Sequence, residues 1–212
     1  MLDSFNLEAY KLLVSADAPL FVFESLKCFD FEIERIQIDQ IVKCQDLIYP
    51  IYPTASGMVD SELIQKLRLQ LLNYSESINM NHVPRCEKIY ISRSKQKIRK
   101  IENEFLLFDF LDKNGYSIVY FEDYSFWEQV QLMKNATDLI APHGANLVNM
   151  LVMQENAKII EINQKDTSSA TLCYWTLANA LKFEYNYIPI ETINQSYILD
   201  IESIKQIEQL IN

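Results

Sequence analysis

Seven basic side chains crowd into sixteen residues: Arg85, Lys88, Arg93, Lys95, Lys97, Arg99 and Lys100, opposed there only by Glu87. The stretch carries +6 while the whole chain carries −10, so the other residues sum to −16. Positive charge gathered on an acidic protein suits a di- or triphosphate, to which arginine offers a fork and lysine a point charge. A solvated loop balancing an acidic surface is the plainer reading of such a run. A second feature is Ala141-Pro-His-Gly-Ala-Asn146. Pro142 would stop a strand, Gly144 would let the backbone approach a ligand, and the amides opening the next helix would face an anion. His143 could donate to a phosphate or sugar oxygen, or simply bond its own turn. A third is Glu161, within the apolar run Lys158-Ile-Ile-Glu-Ile162. An acid in a buried strand is costly unless paired or exposed at the strand end. Acids so placed in nucleotide-binding sheets accept from a ribose hydroxyl.

These residues need elements to position them, and from residue 86 onward the pattern alternates. Strands are expected at Lys88–Ser92, Tyr116–Phe121, Asp138–Ala141, Lys158–Ile162 and Tyr185–Ile190. Helices are expected at Glu102–Asn114, Ser125–Asn135, Gly144–Met153, Ser168–Leu181 and Asp200–Ile211, the last with Ile201, Ile204, Ile207 and Ile211 inward. Gly115 reads as a helix C′ residue, and Ser125 with Glu128 as a capping box. Five such pairs joined by short links imply an α/β fold, a parallel sheet covered by helices on both faces. The basic loop and the Pro142–Asn146 loop then fall beyond the carboxyl ends of strands, where open sheets bind ligands. The first part is less regular. It reads as helices near 5–15 and 19–29, strands at Ile33–Ile38 and Asp46–Tyr49, a loop around Pro50, Pro53 and Gly57, and a helix at Asp60–Tyr74. Ser75–Arg85 reads as a linker, so the expected division is 1–84 and 85–212.

Composition sets bounds on what such a protein can be. The 212 residues are 49% hydrophobic and 23% charged, ordinary for a globular chain and contrary to disorder or fibrous structure. Cys28, Cys44, Cys86 and Cys173 form no CxxC pair and accompany only two histidines, which gives no zinc signature and fits reduced thiols. The first residues carry Asp3 and Glu8 and no basic region, unlike a signal peptide, and no apolar run approaches the ~18 residues of a membrane span. The expected location is the cytoplasm; a soluble piece of a secreted protein is the alternative. An acidic chain with few aromatics among its basic residues is poorly suited to nucleic acid.

Arg85–Ser94 (RCEKIYISRS), Lys97, Arg99, Asn103-Glu104, the run Tyr116–Ala136, Ala141–Met153 (APHGANLVNMLVM) and Lys158–Ile162 occur in one order. Together they resemble the C-terminal region of glycosyltransferase family 61, over residues 85 to about 190. Residues 30–60 resemble the preceding segment more faintly. The resemblance implies a GT-B-like, Rossmann-type enzyme that transfers a sugar, with inversion, from a nucleotide-sugar donor to a glycan acceptor in surface (capsular) polysaccharide synthesis. A UDP-sugar is the favoured donor. It implies no cofactor and usually no metal, in keeping with the lack of any D-x-D triplet. Carried over by position, Ser92, Arg93, Lys97 and Arg99 would face the donor diphosphate. His143, Gly144, Ala145 and Asn146 would form the loop beneath it, and Glu161 would meet the ribose. The acceptor base stays open among Glu24, Asp30, Glu32, His82 and His143. A GT-B enzyme needs two Rossmann-like domains, and 84 residues is short for the first. The alternative is therefore a nucleotide-sugar-binding subunit or inactive homologue that works with a partner chain or as a homo-oligomer.

Overall fold

The computed structural model describes residues 10–49, 54–55, 57–165, 172–193 and 196–211. The chain divides into two compact units, Met1–Tyr52 and Pro53–Asn212. In the first, β1 (Lys11–Ser15), α1 (Leu20–Leu26) and β2 (Glu32–Ile36) form one β-α-β turn, with β1 parallel to β2 and Lys11 opposite Glu32. Here the expected helix near 5–15 is corrected, since its described part, from Tyr10 on, holds a strand. Lys, Leu and Leu suit a helix locally, but pairing with β2 overrides that weak preference. No strand forms at Asp46–Tyr49. Pro50, Pro53 and residues 5–9 lie outside the described residues.

The second unit opens with α2 (Ser61–Ser77), started by Asp60, whose carboxylate accepts from the amides of Glu62 and Leu63. There follow β3 (Lys88–Ile91), α3 (Phe105–Lys113), β4 (Tyr116–Val119), α4 (Phe126–Met133), β5 (Asp138–Pro142) and β6 (Lys158–Gln164). The chain continues through α5 (Cys173–Leu181), β7 (Glu184–Ile193), β8 (Ser196–Ile198) and α6 (Ile201–Ile211). All five expected strands are present and parallel, in the order β4-β3-β5-β6-β7, and β8 adds an antiparallel edge beside β7. α3 starts after a turn at residues 102–104, later than expected, and ends at Gly115, whose φ is +78°. The start of the helix expected from Ser168 lies outside the described residues.

Alternation in the strands sorts side chains to two layers. Tyr90, Ile140, Ile160 and Ile188 meet Leu107 and Leu111 of α3 and Ile207 and Ile211 of α6. Against the other face stand α4, α5 and a 3₁₀ helix at Ala145–Val152, with α2 packed across all three. Tyr74 of α2 lies tilted against Trp127 of α4, ring centroids 4.5 Å apart. α2 therefore belongs with the sheet, and the units divide near residue 52 rather than after residue 84. Ile201 is 74% exposed, contrary to expectation, because the buried stripe of α6 runs through Ser203, Ile207 and Ile211. Among the described residues no helix is long and apolar enough to cross a membrane.

Candidate functional site

The strand order leaves one switch point in the sheet. From β3 the chain moves outward to β4, then returns to the other side of β3 to build β5, β6 and β7. The two crossovers diverge between β3 and β5, and the crevice at the carboxyl ends of such a pair is the binding position of doubly wound sheets. Beyond β3 stand Ser92 and Arg93; beyond β5 stand His143 and Gly144.

Arg93 leans across this crevice. It is 9% exposed; among the described residues its Nε has no hydrogen-bond partner, and its guanidinium makes a long 3.5 Å bond from Nη2 to the Ile98 carbonyl. A Cβ on Gly144 would lie 2.2 Å from Arg93 Nη1, so the glycine is what lets the guanidinium lie against the backbone. Burial, then the charge of Arg99, pulls Arg93 below the usual arginine pKa. Arg99 itself sits at φ +54°. The basic run is thus not one patch. Arg85 and Lys88 are at the opposite end of β3, Lys95 pairs with Asp123 at 2.5 Å, and Lys100 pairs with Glu102 at 3.0 Å. Among the described residues, Arg93, exposed Lys97 and Arg99 are left without a carboxylate partner. Ser92 turns inward: fully buried, it donates to Glu104 Oε1 at 2.6 Å, while Tyr90 donates to Oε2 at 2.9 Å.

After β5, the expected helix proves to be 3₁₀. Leu147, Met150 and Met153, spaced by three, are all fully buried, as 3.0 residues per turn requires. Gly144 precedes its first turn with Arg93 against its α-carbon, Ala145 is exposed and Asn146 is half-buried. At the other end of this helix, Arg68 of α2 donates to the carbonyls of Leu151 (2.7 Å) and Met153 (2.5 Å).

His143 and Glu161 meet directly. His143 Nδ1 is 2.5 Å from Glu161 Oε1, and its ring stands edge-on to Tyr174, centroids 5.1 Å apart. Glu161 is fully buried in the middle of β6 rather than open at a strand end. It also accepts from Asn163 Nδ2 (3.2 Å) and from the Tyr185 hydroxyl. Both of its oxygens are therefore occupied from within the protein. Burial, and then the Glu161 charge, holds the Tyr185 phenol far above its ordinary pKa, so it donates as a neutral hydroxyl. Asn163 Oδ1 in turn accepts from the Tyr197 hydroxyl at 3.1 Å.

The sequence reading missed Glu104, Asn163, Tyr174, Tyr185 and Tyr197. Asn163 had a signal, since it lies two residues beyond Glu161 and so on the same strand face. Glu104 lay within a quoted motif. The tyrosines had none.

A family model described as Glycosyltransferase 61 matches residues 7–160. The chain belongs to this family. No curated protein matches it. The glycosyltransferase 61 match spans Arg93, Lys97, Arg99 and His143–Asn146, and it stops one residue short of Glu161. Family membership implies a glycosyltransferase, with a donor and an acceptor as substrates. Among the described residues, no cluster of His, Cys, Asp and Glu is suited to a metal ion.

Proposed function

We propose that this chain is an inverting, GT-B-like glycosyltransferase that takes a sugar from a nucleoside-diphosphate donor, UDP-linked by preference. The acceptor would be a hydroxyl of a surface (capsular) glycan. The observation that carries this reading is Arg93: a nearly buried guanidinium with no carboxylate partner among the described residues, laid on Gly144 at the switch point where the 3₁₀ helix begins, and near enough to Arg99 to feel its charge. Two adjacent cations without a carboxylate partner among the described residues call for an anion.

In the proposed reaction the acceptor oxygen attacks the anomeric carbon from the face opposite the diphosphate. The new C–O bond forms as the bond to the diphosphate breaks, and the electron pair leaves on the phosphate oxygen. Arg93, Arg99, Lys97 and the helix amides oppose the charge that builds there, which lowers the barrier more than it tightens ground-state binding. The acceptor proton passes to a base on the acceptor side. Glu24, Asp30, Glu32 and His82 are the groups to test, Glu32 being paired with Lys11 and His82 with Glu128 at 2.7 Å. His143 belongs to the donor side in this scheme. Ser92 acts from within, holding Glu104 and the turn into the basic loop.

A second reading, a donor-binding chain that needs a partner for its acceptor site, is favoured by one observation. Among its described residues, the Met1–Tyr52 unit holds only a two-stranded sheet, and such a sheet is marginal by itself. Release of UDP from a panel of UDP-sugars, with and without glycan acceptors, separates the two. Turnover by the purified chain supports the enzyme; UDP binding with no turnover on any donor supports the partner-dependent reading. Failure to bind UDP at all sinks both.

A further inference from the structure

We infer that Glu161 is a positioning residue that holds His143 with its proton on Nδ1, so that His143 meets the donor diphosphate through Nε2–H only as an imidazolium whose charge Glu161 balances. This rests on the donor-binding reading above and goes beyond it, because it assigns the state in which the histidine works.

The argument begins with what a buried carboxylate can accept. Glu161 is fully buried and takes hydrogen bonds from His143 Nδ1, Asn163 Nδ2 and the Tyr185 hydroxyl. An ionised carboxylate only accepts, so the His143 nitrogen facing it must carry a hydrogen. A neutral imidazole has one N–H, and here it is committed. Nε2, which has no hydrogen-bond partner among the described residues, then presents a lone pair, and a lone pair repels a phosphate oxygen. Only after Nε2 gains a proton can the ring donate to a diphosphate while keeping Glu161. The resulting charge is balanced from below by Glu161, 2.5 Å from Nδ1.

The tyrosine and cysteine side chains around the pair are held neutral. Tyr174 of α5 stands against the ring and is pushed up to about 12, chiefly by burial. Tyr185 of β7, Cys173 of α5 and Tyr197 of β8 feel the Glu161 charge and are all raised, burial being the main cause. These groups stay neutral through the neutral range, and arginine is not deprotonated in proteins.

The decisive measurement is UDP affinity against pH by calorimetry, taken as the ratio of wild type to His143→Asn, which cancels the titration of UDP itself. The ratio should be largest at acid pH and fall as pH rises, since the neutral ring offers the phosphate a lone pair while the asparagine keeps its N–H donors. In Glu161→Gln the midpoint should move to lower pH by about 1–3 units, the usual effect of losing an opposite charge at this range. Nitrogen NMR adds a readout independent of ligand. With two histidines in the chain, the signal lost in His143→Asn is His143, and its neutral form should be protonated at Nδ1 and bare at Nε2. Should Glu161→Gln fail to fold, the wild-type ratio and this spectrum still decide. A neutral ring protonated at Nε2, or a ratio that ignores pH, overturns the inference. A midpoint unmoved in folded Glu161→Gln removes Glu161 from the role. If UDP binds the wild type and Arg93→Ala equally, or binds neither, it is the donor reading that fails instead.

Discussion

Removing a guanidinium from water without an ion pair costs several kcal/mol, and among the described residues Arg93 has neither a carboxylate partner nor an acceptor for its Nε. Such a group is retained where a ligand completes it. Arg93→Ala should therefore weaken UDP binding by about 1.5–3 kcal/mol, the range for a charged hydrogen bond, with the thermal unfolding temperature unchanged or raised. Calorimetry and a melt on the same sample check both halves, and unaltered affinity would take Arg93 out of the site. Gly144 is tied to the same side chain. In Gly144→Ala the new methyl would stand 2.2 Å from Nη1, so the guanidinium must leave its place. The expected outcome is a loss of UDP affinity comparable to Arg93→Ala, and little further loss when the two changes are combined. Additive losses in that double-mutant cycle would mean the two residues act separately. The placement of Arg93, His143 and Gly144 just past strand ends was legible in the sequence, because each follows directly on a short apolar run. Ser92 and Glu161 were legible only as polar residues in strands. That they turn inward, to Glu104 and to His143 with Tyr185, depends on which side chains meet across the sheet, and no spacing along one strand records that.

The five parallel strands could be read from the sequence because each is a short apolar run bounded by turns, and the spacing between them leaves only a crossover connection. Local pattern failed where distant contacts decide. Residues 11–15 have helix-forming types yet pair with β2. The segment 145–152 is apolar on so many positions that a period of 3.6 and one of 3.0 fit equally well. Packing of Leu147, Met150 and Met153 against the sheet selects the tighter helix, and Arg68 fixes its far end through two carbonyls. This contact has a consequence at the site. Arg68→Ala leaves both carbonyls without that donor and should destabilise the fold by about 1.5–3 kcal/mol, read as a lower urea midpoint at constant slope. UDP affinity should fall only modestly, because Gly144 and Ala145 at the other end are held by β5. A large loss of affinity with stability intact would show that the 3₁₀ helix transmits more than it is credited with here.

At the scale of the whole chain, Ser75–Arg85, with Asn79, Asn81 and Pro84, looked like a domain boundary by composition. Such composition marks a change of direction, not a change of unit. The helix before it, α2, buries Leu71 and Ser75 and sets Tyr74 against Trp127, so it is part of the layer that covers the sheet. All the groups proposed to hold the donor lie in Pro53–Asn212, together with the core that positions them. A chain beginning at Pro53 should consequently fold cooperatively and bind UDP as the full chain does. One beginning at Arg85 should not fold, since removing α2 would strip Trp127, the 3₁₀ helix and α5 of their cover. Circular dichroism with urea titration, followed by calorimetry, tests the pair. A stable fragment from Arg85 would restore the later boundary. A fragment from Pro53 that folds but no longer binds UDP would place part of the donor site in the first unit, and one that still transfers sugar would free that unit of any part in the acceptor site.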